Sequence, residues 1–271
     1  MAHTIYSNFV LANEIEDQYN SYLDLARFCT IDNSLVGTPG MKKVINVYRA
    51  TNGTEKLAMG VGNSKDIEVT YTDEDYTILM AQNRFKYFDE QEMTDPMLVT
   101  TGVRHMAVDM FNTVNAEIYA EFMKVGATQT LYTGAANTGF DFGIFADAVA
   151  VLNVAAEDAQ GMEIFAFVAP EDVAGLRKSL KDDLKYVESF VRTGYIGTVA
   201  GVNIYTKKDA EVGTICGGLR TAVTLFNKKG TEVEQNRNAD IRENTIWSRK
   251  YYLAALTDET KAFKLVKGAK E

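Results

Sequence analysis

Val103, Met106, Met110, Val114, Ile118, Phe122 and Val125 recur in steps of three or four, the period of one face of a helix. Asp95 followed by Pro96 stands just ahead of this run. Aspartate caps free amides of a first turn, and proline at the first helical position gives up an amide that has no partner there. The apolar run ends at Gly126. The pattern predicts a helix of about thirty residues, roughly 45 Å long at 1.5 Å per residue. An apolar stripe of that length has to be covered along its whole extent. The rest of the chain is therefore expected to be laid out beside a beam.

The segments after the beam mix both periods. Asp141 is placed to start a helix through Phe145, Val149 and Leu152, MEIFAFV reads as a buried strand, and Pro170 opens a helix carrying Val173, Leu176, Leu180 and Leu184. Residues 192 to 208, RTGYIGTVAGVNIYTKK, hold Gly194, Gly197 and Gly201 at a Gly-x-x-Gly-x-x-x-Gly spacing. A dinucleotide fingerprint needs Gly-x-Gly-x-x-Gly ahead of a helix whose amides face the pyrophosphate. After Gly201 the chain alternates β-branched and aromatic residues, so the stretch reads as strand, turn, strand, and its glycines as turn glycines. TAVTLFN, TIWSRKYYLAAL and AFKLV close the chain as further strands. The fold class is α+β.

Ahead of the beam the pattern differs. VINVYRA, an Asn52-Gly53 turn, KLAMGVG, DIEVTYT and YTILMAQNRF read as strands of a ribbon that is polar on both faces. A two-stranded ribbon is marginal alone in water and needs a sheet, a helix or another subunit. Before it, Ser7 is a plausible N-cap for an amphipathic helix bearing Phe9, Ile15, Tyr19, Tyr22, Leu23 and Phe28, which NSLVGTPG at 33 to 40 breaks.

Charge and composition exclude several classes of function. Twenty-eight basic against thirty-seven acidic residues give a net charge of -9, the wrong sign for gripping a phosphate backbone. Cys29 and Cys216 stand alone, without the Cys-x-x-Cys spacing of a zinc or redox site, which fits a reducing compartment. The N-terminus lacks a signal-peptide pattern, and Asp147 interrupts the longest apolar tract, so no membrane span is expected. Asp141-Phe142-Gly143 spells a kinase triplet, but the glycine-rich lid, strand lysine and His-Arg-Asp loop are missing. His105 and Asp109 share a helix face, yet His3 is the only other histidine, too few ligands for zinc. Gly217-Gly218, between two apolar runs, reads as a turn. No catalytic, cofactor or metal residue is nominated, and an enzyme with an α+β core is a distant reading. EQNRNADIRENTIWSRK reads as a turn-rich stretch in which Arg237, Asp240, Arg242 and Glu243 carry both signs. These four are expected assembly contacts, together with Asn52, Gly53, Glu55 and Lys56 of the ribbon.

Three stretches together resemble a known family. QNRFKYFDEQEMTDPMLVTTGVRHMAVDM at 82 to 110 is similar to the junction of extended loop and spine helix in major capsid proteins of tailed bacteriophages. GYIGTVAGVNIYTKKDA at 194 to 210 resembles their glycine-bearing hairpin, and SRKYYLAALTDETKAFKLV at 248 to 266 their closing strands. The resemblance spans nearly the full chain. It implies the capsid fold named for Hong Kong phage ninety-seven, with an N-terminal arm at 1–40, an extended β-loop at 41–90, a peripheral domain with the spine helix at 91–130, an axial domain at 131–234 and peripheral strands at 235–271. It also implies a non-enzymatic subunit that assembles with itself, as pentamers and hexamers, into an icosahedral shell around phage DNA, built in the host bacterial cytoplasm. The expected partners are a separate scaffolding protein, a portal and decoration proteins, with weak contact to DNA and none to membrane. The alternative is an encapsulin-type bacterial nanocompartment shell.

Overall fold

The computed structural model describes residues 5–7, 24–50, 53–95, 97–134, 139–155, 161–179 and 195–269. In chain order its elements are β1 (Ile5–Ser7), β2 (Thr30–Asp32), β3 (Lys42–Ala50), β4 (Val69–Thr77), β5 (Leu79–Phe88), α1 (Asp89–Thr94), α2 (Leu98–Met123), β6 (Thr130–Tyr132), α3 (Phe142–Ala155), β7 (Ile164–Val168), α4 (Pro170–Ser179), β8 (Tyr195–Val199), β9 (Val202–Thr206), β10 (Thr214–Gly218), β11 (Val223–Asn238), β12 (Glu243–Leu256) and β13 (Ala262–Val266).

The beam is α2, 26 residues and about 39 Å long. It starts later than the sequence suggests. Asp95 Oδ1 accepts from the Met97 amide at 3.0 Å and the Asp95 carbonyl from the Leu98 amide at 3.1 Å, so the cap works on the turn before the helix. Pro96 lies outside the described residues. The six-residue α1 ahead of it was not visible in the sequence, because it buries no side chain and has no apolar period. At the far end Glu259 Oε1 accepts the Gly126 amide at 2.8 Å, and Lys264 Nζ donates to the Met123 carbonyl at 3.4 Å. Gly102 has a steric reason to be in mid-helix. A Cβ there would stand 2.5 Å from the Phe85 ring that lies against it.

Two sheets flank the beam. The five-stranded sheet runs β1-β11-β12-β5, with β2 pairing β11 in parallel beside β1's position. The six-stranded sheet runs β6-β13-β10-β7-β9-β8. β3 and β4 form a separate two-stranded hairpin. One core joins the two larger sheets: Ile118 and Phe122 of α2 pack with Phe165 and Phe167 of β7, Cys216 of β10, Val223 and Leu225 of β11, and Ala254 of β12. Phe28 adds its ring to Phe165 at 4.8 Å and Phe167 at 5.2 Å. On the other face of the six-stranded sheet α3 and α4 bring Phe145, Leu152, Val173 and Leu176 onto Ile204, Ile215 and Phe263.

Several expectations are met and others corrected. Asp141 Oδ1 accepts the Ile144 amide at 3.1 Å and so caps α3, and α4 begins at Pro170. Leu180 and Leu184 lie outside the described residues. β8 and β9 are the expected hairpin, turned by Ala200 at φ 50° and Gly201 at φ 85°, with a register shift between Tyr195 and Gly197. Gly194 lies outside the described residues. Gly217 and Gly218 are not a turn but the end of β10, a central strand, where a Cβ at 217 would stand 2.1 Å from the Phe165 carbonyl oxygen and at 218 2.2 Å from that of Lys261. Their purpose is close backbone approach rather than a change of direction. KLAMGVG is not a strand, and the strand read in DIEVTYT begins only at Val69, since glycines at 60 and 62 leave nothing to hold a ladder. Most of EQNRNADIRENTIWSRK is β11 and β12 rather than loop, and only 239–242 turn. Of the predicted N-terminal helix, the proposed cap Ser7 ends a short strand, Ile5–Ser7, Leu25–Phe28 is a 3₁₀ turn, and residues 8–23 lie outside the described set. The boundaries drawn at 90, 130 and 234 cut across sheets: β5 and β11 share one sheet, whereas β13 joins the other.

Candidate assembly surfaces

The hairpin is built outward from a small buried base. Ile78 is buried and, with the half-buried Ile45 and Tyr76, packs on Phe226, Leu253 and Ala255, while Lys43 Nζ lies 5.2 Å from the centre of the Phe226 ring. From there β3 and β4 pair in register from Lys42–Thr77 to Ala50–Val69. No third strand joins them among the described residues. Val44, Ile67, Val69 and Tyr71 are half or more exposed along the ribbon. More than half of the exposed large apolar side chains of the described chain fall between Met41 and Met80. That concentration is what a subunit interface left open looks like.

The loop beyond β3 is closed at a neck. Glu55 accepts from the Ser64 amide and from the Ser64 hydroxyl, both at 2.8 Å, and these donors hold its carboxyl below the ordinary carboxylate range. Asn63 Nδ2 donates to the Gly53 and Lys65 carbonyls. Gly53 is buried, and a Cβ there would stand 2.7 Å from the Ile67 nitrogen. Outside the neck, residues 56–62 form a lobe in which Met59 is fully exposed and Leu57 and Val61 about half so. Of the four predicted contacts here, Lys56 is on the surface, Glu55 and Gly53 serve the loop itself, and Asn52 lies outside the described residues.

The second predicted surface is the far end of the five-stranded sheet. Arg237 pairs with Asp89 at 2.6 Å, Arg242 with Glu90 at 2.9 Å, and Lys86 with Glu243 at 2.6 Å. Asn244 also donates to Asp89 at 2.6 Å. Arg237 first, then Asn244, holds the Asp89 carboxyl below its usual range, and Lys86 does the same for Glu243. Three of the four predicted charges thus have partners in their own chain. Asp240, the fourth, stands at the turn, its amide donating to Asn238 Oδ1 at 3.2 Å. Sequence reasoning missed the partners of Arg237 and Arg242 because α1 was not foreseen, and that of Glu243 because Lys86 lies across the sheet on β5. Arg242 sits at φ 54°, uncommon for a side-chain-bearing residue, and its carbonyl accepts the Asp89 amide at 3.2 Å. Phe88, Met93, Met97 and Ile241 are exposed around this end.

Among the described residues no group of three His, Cys, Asp or Glu is placed to hold a metal, and no helix is long and apolar enough to cross a membrane. His105 and Asp109 are exposed on α2. Burial pushes both cysteine thiols up to about 12, the opposite of an activated nucleophile. A cleft of about 260 Å³ between β5 and α2 is lined by Leu79, Met80, Asn83, Asp109 and Glu117 among others, and burial raises the Glu117 carboxyl.

No family model matches the chain. A curated relative, the major capsid protein of Staphylococcus phage phiMR11, is 25% identical over 96% of this chain and 93% of its own. Among solved structures, the capsid of Ralstonia phage GP4 superposes with a TM-score of 0.68 at 12% identity, over 90% of this chain and 88% of that one. The chain is a relative of phage major capsid proteins and has their fold. The virus-like particle of Pyrococcus furiosus also superposes, with a TM-score of 0.63 at 11% identity over 94% and 97% of the two chains.

Proposed function

We propose that the protein is the shell-forming subunit of a tailed-phage capsid, located in the virion, and that its hairpin is the principal arm by which one copy grips the next. In this reading α2 takes the place of the spine helix and the β3–β4 hairpin that of the extended loop. The observation that carries the reading is the hairpin itself: a ribbon with a small buried base, exposed apolar side chains and an ordered tip, in a chain whose relative is a major capsid protein. A surface of that kind is covered in the working state of a protein. The end of the five-stranded sheet, with Asp240, Ile241 and Met93 outermost, is the second contact, where neighbouring sheets meet. Its ion pairs set the shape of that end rather than bridging copies.

The remaining partners are those this role requires. The interior is expected to slide past DNA, because a chain of net charge -9 releases few counterions on neutralising phosphates. A separate scaffolding protein, a portal and decoration proteins complete the particle, which assembles in the bacterial cytoplasm. The purified full-length protein is expected to run as rings of five or six, sheets or closed shells by size-exclusion chromatography with light scattering and negative-stain microscopy. A monodisperse monomer at high concentration across a range of salt, with scaffold present, contradicts the reading.

A further inference from the structure

The neck of the hairpin loop holds its lobe without help from the rest of the subunit. Glu55 and Ser64 are nine residues apart, and one carboxylate takes both the amide and the hydroxyl of the serine at 2.8 Å. Asn63 ties the Gly53 and Lys65 carbonyls across the same neck, and the Gly53 backbone lies against Asp66 and Ile67 too closely for any side chain. The lobe beyond carries its own turn, closed by the Val61 amide on the Ala58 carbonyl at 3.2 Å with Gly60 at φ 84°. None of its side chains is buried. A loop with so little burial has only these neck bonds and its own turn to oppose its conformational entropy. Were it disordered, each association step would bear the cost of ordering it.

We infer that the Glu55–Ser64 clip orders the lobe in the free subunit, which makes Glu55 a positioning residue for assembly rather than a group that touches the neighbouring subunit. The inference rests on the shell-forming reading and deepens it. The clip presents Leu57, Met59 and Val61 in one arrangement before contact, so its effect falls on the rate of association. The clip also explains why an acidic side chain sits on a ribbon between exposed apolar positions. Both of its oxygens accept hydrogen bonds within its own loop, so neither is left without a donor when a second copy covers the lobe.

The test uses the full chain. Hydrogen exchange of the peptide spanning residues 62–68 in the unassembled protein is expected to quicken about tenfold in Glu55→Ala and in Ser64→Ala, the scale of one charge-assisted hydrogen bond. Glu55→Gln falls between, and protection in α2 is unchanged. Assembly followed by light scattering slows by a similar factor. Both native cysteines are buried, so a Glu55→Cys, Ser64→Cys pair can be closed selectively by glutathione disulfide, two thiols giving one disulfide and two molecules of reduced glutathione. Closing it restores the assembly rate and reducing it removes the rescue. Unchanged exchange in Glu55→Ala overturns the clip. Slowed assembly that the closed cysteine pair fails to rescue assigns Glu55 to the neighbouring subunit instead and also overturns it. A wild type that forms no shells refutes the shell reading while the exchange measurement still decides the clip.

Discussion

Replacing residues 51–68 by Asn-Gly separates the hairpin's contribution to the subunit from its contribution to the shell. Ala50 and Val69 are the last paired residues of β3 and β4, so a two-residue turn closes the ladder in its existing register. The described part of the excised segment buries only Gly53, and its Glu55, Asn63 and Ser64 bonds lie inside the segment. The core built on α2 therefore loses nothing. Shortening a loop from eighteen residues to two lowers its closure cost by up to about 2 kcal/mol, so the subunit's melting temperature should hold or rise by a few degrees. Assembly should respond in the opposite sense. Leu57, Met59, Val61 and Ile67 range from about half to fully exposed. At roughly 1.5–3 kcal/mol for burying such a side chain completely, covering half of what they expose is worth about 3 kcal/mol, somewhat over a hundredfold in association. Association costs reduce that figure, and a loss of about tenfold or more is expected. Circular dichroism melting and electron microscopy of the same preparation give the answer. A deletion variant that unfolds would place the loop in the subunit's own core, and one that forms normal shells would make it a dispensable appendage.

Two further outcomes rest on particular contacts and a third on net charge. Gly217→Ala drives a Cβ to 2.1 Å from the Phe165 carbonyl oxygen in a central strand and should destabilise the fold by about 3 kcal/mol in denaturant unfolding, whereas Gly230→Ala, with no neighbour within 4 Å, should be near neutral. Arg237→Ala removes the main cause of the lowered Asp89 carboxyl. A depressed carboxylate contributes above its ordinary value, 3.8, and that contribution fades as pH falls through the folded-state value, so the gap in melting temperature between variant and wild type should be widest near neutrality and close in acid. Filter binding of unassembled subunits to duplex DNA at physiological salt should show no sub-micromolar affinity, and finding one would show that net charge misrepresents the interior surface.

The long elements were legible because their signals sum over many residues. Seven apolar positions at helical spacing located α2, and Asp141, Pro170 and Gly201 marked ends that the structure places within a residue or two. Glycine misled where its two uses look alike. Gly201 serves a turn by its positive φ, whereas Gly217 serves a strand by lacking a Cβ, and a single sequence offers the same letter for both. The charges at 237–243 do lie together, but their partners Asp89, Glu90 and Lys86 are some 150 residues away across a sheet, beyond the reach of local pattern. Glu55 stood out in the sequence as a charge on a ribbon, and only its distances to Ser64 show that it faces inward on its own loop.

Cryo-electron microscopy of particles assembled from the full-length protein tests the central claim, that the hairpin joins one subunit to the next. The account predicts closed icosahedral shells of pentamers and hexamers in which residues 56–62 lie buried against an adjacent subunit, with Glu55 and Ser64 still bonded within their own chain. Particles in which the lobe projects into solvent, or a preparation holding only monomers, would contradict it.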